Sequence, residues 1–151
     1  GGYDTAGGDG GGSIRVESAG HITIDGTLTA AGGNGATYNG GGAGGSIFLI
    51  CGLNFYGGTS AVLRADGGAG GTGYVNLGGG GGGRIAVWQK VPGWVKDRWL
   101  GGDQRGASIS GSCPTYAGSL SVAAGVATNM GDPGTIVFLT SVNNGTVFVI
   151  R

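Results

Sequence analysis

The sequence predicts an all-β fold of glycine-rich, β-solenoid or β-helix-like repeats that includes extended polyglycine segments. Three observations carry this expectation. Glycine supplies 41 of 151 residues, against an average usage of about 7%. The longest stretch free of it, Thr135 to Asn144, is ten residues, and each interior Gly costs a helix about 1 kcal/mol relative to Ala. The larger apolar residues favour strands, with 12 Val and 9 Ile against 8 Leu. Finally, a two-part unit recurs along the chain, and a unit this short buries its apolar face only by stacking on a neighbour.

The first part of the unit is a glycine run leading into an apolar strand. It reads GGGSIRVES from Gly10, GGAGGSIFLIC from Gly41, GGGGGGRIAVW from Gly78 and GDPGTIVFL from Gly131. The second part is a short strand running into glycine: GTLTAAGGNG from Gly26, AVLRADGGAG from Ala61 and SLSVAAGVA from Ser119. Aligned on Ile14, Ile47, Ile85 and Ile136, successive units are 33, 38 and 51 residues long. The third carries an insertion at about 89–118, inside one glycine-rich domain covering 1–151.

Alternation in Ile22, Ile24 and Leu28 suits strands with one wet face, whereas Ile47 to Cys51 and Ile136 to Leu139 are continuously apolar and suit strands covered on both faces. The glycine runs have two readings. They form tight corners, or they lie side by side as extended polyproline II segments, which have no internal hydrogen bonds and must bond to neighbours. The prediction combines both in one solenoid, and a Gly-rich sandwich is the alternative.

The succession GGGSIRVE, ITIDGTLTAAGGNG, GGAGGSIFLI, LRADGGAGG, GGGGGGRIAV and GDPGTIVFL resembles the glycine-rich repeats of large secreted bacterial surface proteins. The resemblance covers nearly all of the chain except the insertion. It implies an extracellular, stacked β architecture and carries no catalytic signature to particular residues.

Formal charge is zero, with 8 basic and 8 acidic residues. A nucleic-acid binder would show a basic face, so none is expected as a partner. No run of about 20 apolar residues exists to span a membrane. Cys51 and Cys113 are too far apart in sequence for a CxxC motif; in an oxidising setting they most simply form one disulfide, and the alternative is two buried thiols. The insertion and its flank hold Trp88, Trp94 and Trp99 with Lys90, Lys96, Arg98 and Arg105. Trp88, Trp94, Trp99 and Arg98 are therefore candidate ligand or subunit contacts, either as a satellite core or as a platform for sugar faces.

His21 is the single histidine, one Glu accompanies seven Asp, and most of the Asp lie beside glycine, where they serve turns. No catalytic residue, metal site or cofactor is assigned, and GGDGGGSIR and GGAGGSIFL lack the Asp of the calcium-binding nonapeptide. Asn144-Gly145-Thr146 is a glycosylation sequon at Asn144. Thr146, Val147, Phe148, Val149 and Ile150 alternate as an uncapped strand, and soluble monomers normally blunt such edges with charge or Pro. The functional expectation is a non-enzymatic structural subunit of an extracellular fibre or surface layer that self-assembles head to tail by donating this strand. An adhesive or polysaccharide-binding module using the Trp-rich insertion is the alternative.

Overall fold

A computed structural model describes residues 6–73 and 77–142. It overturns the all-β solenoid expectation. Among the described residues the fold is mixed, with ten strands divided among three sheets and one α-helix, and one strand pair is antiparallel.

The largest sheet runs in the order β1-β4-β7-β10-β8. Its first four strands, β1 (Ser13–Ser18), β4 (Ser46–Cys51), β7 (Arg84–Gln89) and β10 (Thr135–Ser141), pair in parallel and align Ile14, Ile47, Ile85 and Ile136 in one row. These are the isoleucines on which the sequence units align. β8 (Ala107–Ser110) joins β10 antiparallel. A second sheet pairs β2 (Ile22–Ile24) with β5 (Phe55–Gly57), and a third orders β3 (Thr27–Thr29), β6 (Val62–Arg64) and β9 (Ser119–Ser121), all parallel.

Alternation sorts the side chains of the large sheet into two cores. Ile47, Leu49, Ile85, Val87 and Phe138 point inward and meet Phe55, Leu63 and Ala65 from the smaller sheets, all at most 1% exposed. Ile50, Trp88 and Leu139 point outward and are covered by Val91, Val95 and Trp99. The last two belong to α1 (Gly93–Leu100), the element that the glycine count had argued against. Its eight residues make only two turns, placed between Pro92 at the N-cap and Gly101 at the C-cap. Val95 and Trp99, four apart, form the stripe that docks it. Tertiary burial stabilises a helix too short to hold alone.

Candidate functional site

The glycine segments that lead into and out of the strands pack against one another. Segments 6–12, 40–45, 78–83 and 129–134 stack in parallel at one side, and segments 30–36, 65–71 and 122–127 stack at the other. Gly41 and Gly44 donate to the carbonyls of Gly78 and Gly81 in the next layer of their own stack, at 2.9 and 2.8 Å. Gly42 and Gly45 donate instead to Gly33 and Ala30 of the other stack, at 2.9 and 2.8 Å. The partner numbers rise in the first pair and fall in the second, so the two stacks run antiparallel to each other. Each bonding direction recurs every three residues, the period of polyproline II.

Side chains are excluded where segments meet. A Cβ on Gly41 would lie 1.9 Å from the Gly68 carbonyl oxygen, and one on Gly80 would lie 1.9 Å from that of Gly42. Both ends of the lattice depart from glycine. In the strand register Asp9 stands where the next layer has Gly42, and Ala36 where it has Gly71. At the far end Met130 and Pro133 stand where the preceding layer has Gly79 and Gly82. Side chains fit at these positions because no further layer among the described residues faces them, and the same side chains obstruct addition of a further glycine layer.

The strand half ends differently. Among the described residues β1, β2 and β3 are all edge strands, each paired on one side only. At the opposite end of the large sheet, β8 covers β10. Thus, among the described residues, one end of the strand half presents the parallel edges β1, β2 and β3, and the other finishes on β8, β5 and β9, of which β8 is antiparallel to its neighbour. The β1 edge carries charge, with Glu17 bonded to Arg15 beside it and to Lys96 of α1 at 3.1 Å.

A groove of about 680 Å³ crosses the outward face of the large sheet beside α1. Phe48, Ala86 and Val137 line its floor, Trp88 and Trp99 close the α1 side, and Arg84 and Gln104 contribute polar groups. Arg84 donates from Nε to Thr135 Oγ1 at 3.3 Å and has no carboxylate partner among the described residues. Neither Phe48 nor Arg84 was singled out from the sequence. Their alternation with Ile47 and Ile85 places them outward, but the groove itself depends on where α1 docks.

The predicted residues separate. Trp88 and Trp99 are buried, their rings edge to face at 5.5 Å, and Trp99 Nε1 donates to the Arg105 carbonyl at 3.3 Å. They form a satellite core. Trp94 is 67% exposed, with the Arg98 guanidinium 5.6 Å over its ring. Arg98 also donates to the Arg105 carbonyl at 2.6 Å, and Arg105 grips Asp103, whose carboxyl that hydrogen bond pushes down to about 2.

The expected Cys51–Cys113 disulfide is not formed; both thiols are free and buried. The Cys51 thiol contacts the Trp88 carbonyl oxygen at 3.4 Å, and that of Cys113 contacts Gln89 Oε1 at 3.7 Å. Burial first, and the neighbouring Cys113 second, push the Cys51 thiol up to about 11, which suppresses the thiolate. His21 Nδ1 accepts from the Asn54 backbone N–H at 3.2 Å, a structural contact beside Tyr56. Among the described residues no group of three His, Cys, Asp or Glu is placed to hold a metal ion, and no helix is long and apolar enough to cross a membrane. Asn144 and the strand Thr146 to Ile150 lie outside the described residues. No protein-family model matches the sequence, and no curated protein or solved structure matches it.

Proposed function

We propose that the protein is a structural subunit of an extracellular fibre or surface layer, built to associate with copies of itself and not to catalyse a reaction. The observation that supports this reading is the alignment of β1, β2 and β3 as three open edges at one end of the molecule. An open edge is a template for strand addition, and monomers ordinarily cover it. The ends of the glycine lattice restrict what is added: Asp9 and Ala36 oppose a whole new layer, whereas a single strand reaches β1 without meeting them. The opposite end of the large sheet finishes on the antiparallel strand β8 and so offers a different edge, and docking of one copy's strand on the β1 edge of the next is heterologous, which yields open filaments. The donated strand in this proposal is Thr146 to Ile150.

The test is electron microscopy and sedimentation of the full chain beside a variant lacking Thr146 to Arg151. Filaments from the full chain, lost in the shortened one, are the expected result. Filaments of unchanged length and stability from the shortened chain sink strand donation.

A second reading, a polysaccharide-binding module, is favoured by the groove, whose aromatic wall and Arg84 and Gln104 groups offer both stacking and hydrogen bonding. Titration with soluble oligosaccharides, followed by Trp88 and Trp99 fluorescence, tests it. An unchanged spectrum through saturating sugar removes this reading.

A further inference from the structure

The two outer faces of the glycine lattice are finished differently. On the outer face of segments 30–36, 65–71 and 122–127, side chains cap the backbone N–H groups that point outward. Asn34 Oδ1 accepts from the Ala69 N–H at 2.9 Å, Asp66 Oδ1 from that of Ala123 at 2.8 Å, and Thr29 Oγ1 from that of Ala31 at 3.4 Å.

The opposite face, on segments 6–12, 40–45 and 78–83, has no such caps. The N–H groups of Gly10, Gly40, Ala43, Gly78 and Gly81 meet no acceptor among the described residues, and the carbonyls of Gly8, Gly11, Gly41, Gly44, Gly79 and Gly82 accept from none. Donors and acceptors recur in each segment at three-residue intervals, as they do at the internal contact between segments 40–45 and 30–33. Internal packing tightens only Gly40, where an added Cβ would lie 3.2 Å from the Gly78 carbonyl oxygen, and does not account for the other missing side chains here. A Cβ on Gly10, Gly78 or Gly81 would find its nearest neighbour at 4.0, 3.9 or 3.5 Å, ordinary contact distances.

We propose that this bare face is a lateral docking surface for the same face of a second copy of the chain. A two-fold axis lying in the interface, along the direction in which the layers stack, brings the same face of a second copy against this one, reverses the partner's segments and makes them antiparallel, as at the internal contact. Each outward N–H then meets a carbonyl of the partner, and the reciprocal bonds form by symmetry, which is the self-complementarity an isologous contact requires. The same operation keeps the order of layers, so that each layer meets its equivalent; the two Asp132 carboxylates of the last layer come together at one end, and the contact rests on the first three layers. The only side chains at these outward positions of the first three layers are methyl groups or none, which lets the backbones approach to hydrogen-bonding distance. Because this face offers backbone groups and almost no apolar side chain to bury, the contact is weak and depends on protein concentration.

This lateral contact is separate from the strand donation proposed above, although it takes the same partner, a second copy. The experiment uses the full chain, the variant lacking Thr146 to Arg151, and Ala43→Arg and Gly81→Arg variants whose folding is checked by circular dichroism and thermal unfolding. Sedimentation velocity at low and high protein concentration is expected to show dimer formation by the shortened chain, and association at least about tenfold weaker in the Arg variants. Hydrogen exchange on the unmutated chain is expected to slow at Gly10, Gly40, Ala43, Gly78 and Gly81 as concentration rises. Dimers of equal strength in the Arg variants, unslowed exchange at those amides, or a shortened chain that stays monomeric throughout overturns the lateral face. Filaments of the full chain that persist in either of the first two cases show that strand donation survives its failure.

Discussion

The strand half and the glycine half of this molecule solve one problem by opposite means. In the strand half, apolar side chains such as Ile47, Leu49, Phe55 and Phe138 leave water together, and backbone hydrogen bonding sets their register. In the glycine half nearly every stabilising contact is backbone to backbone, most of them at 2.7–2.9 Å. A side-chain core yields by degrees, because rotamers shift and neighbours relax into part of a cavity. A backbone lattice has no rotamers to shift. A methyl group placed within about 2 Å of a carbonyl oxygen separates the segments or is not accommodated at all, so the comparison predicts steep responses in one half and graded ones in the other.

The largest effect is expected at Gly80, which is buried and whose added Cβ would lie 1.9 Å from the Gly42 carbonyl oxygen. Gly80→Ala is expected to destabilise by more than about 4 kcal/mol, in the range reserved for severe overpacking, with chemical denaturation as the measurement. Survival of a cooperative fold within about 1 kcal/mol of the parent would show that the lattice flexes. In the strand half, Trp99→Ala removes the main anchor of α1 and is expected to cost about 3–5 kcal/mol. The helix signal should fall while the parallel strands persist.

A smaller effect follows from Cys51. Its thiol is raised in the folded state, so the stability it contributes is fully present below the ordinary value of 9.0 and is lost as pH rises toward about 11, where the unfolded chain has already ionised. The loss is on the order of 2–3 kcal/mol for about two pH units of displacement. The slope of stability between pH 9 and 11 should therefore flatten in Cys51→Ala compared with the parent. Asp66 has the opposite sign. Burial raises its carboxyl, but hydrogen bonds from Ser121, Arg64 and the Ala123 N–H outweigh burial and hold it below 3.8, so its contribution is lost only as pH falls below that value. Asp66→Asn should shift the acid limb of the unfolding curve and leave the neutral region with a cost of about 1–3 kcal/mol.

The smallest change sharpens the comparison most. Gly10 sits in the same lattice, yet its nearest neighbour would be 4.0 Å from an added Cβ. Gly10→Ala should be neutral or stabilise by about 0.4–1 kcal/mol, because it restricts the unfolded chain. If Gly10→Ala and Gly80→Ala cost the same, the distinction between bonded and bare glycine faces is wrong.

Much of the strand half was legible in the residues themselves. The spacing of Ile14, Ile47, Ile85 and Ile136 matches the strand register, since a buried β-branched residue repeated once per unit leaves little choice of alignment. The recurrence of GTLTA, AVLRA and SLSVA similarly anticipates the pairing of β3, β6 and β9. The helix was missed even though Pro92, Gly101 and the Val95 and Trp99 stripe were visible, because the glycine count weighed against helix across the whole chain and the insertion departs from that composition. The disulfide expectation failed for a different reason. Two cysteines 62 positions apart carry no record of whether folding brings their sulfurs into bonding geometry.

By itself, then, the sequence determined the strands of the repeated unit, how the units align and where the pattern is interrupted, because those properties are written in side chains of definite size and polarity, whereas β5 and β8 emerged only from the packing. Only the tertiary structure decided what each glycine is for. Gly10 and Gly80 are the same residue in similar runs, and a residue without a side chain records nothing about which neighbour it faces. The difference between them, one open to solvent and the other placed so that an added Cβ would lie within 2 Å of a backbone oxygen, exists only once the segments are packed. The same holds for the ends of the lattice: Asp9, Ala36, Met130 and Pro133 are unmarked in the sequence and become end positions only because no further layer among the described residues lies against them.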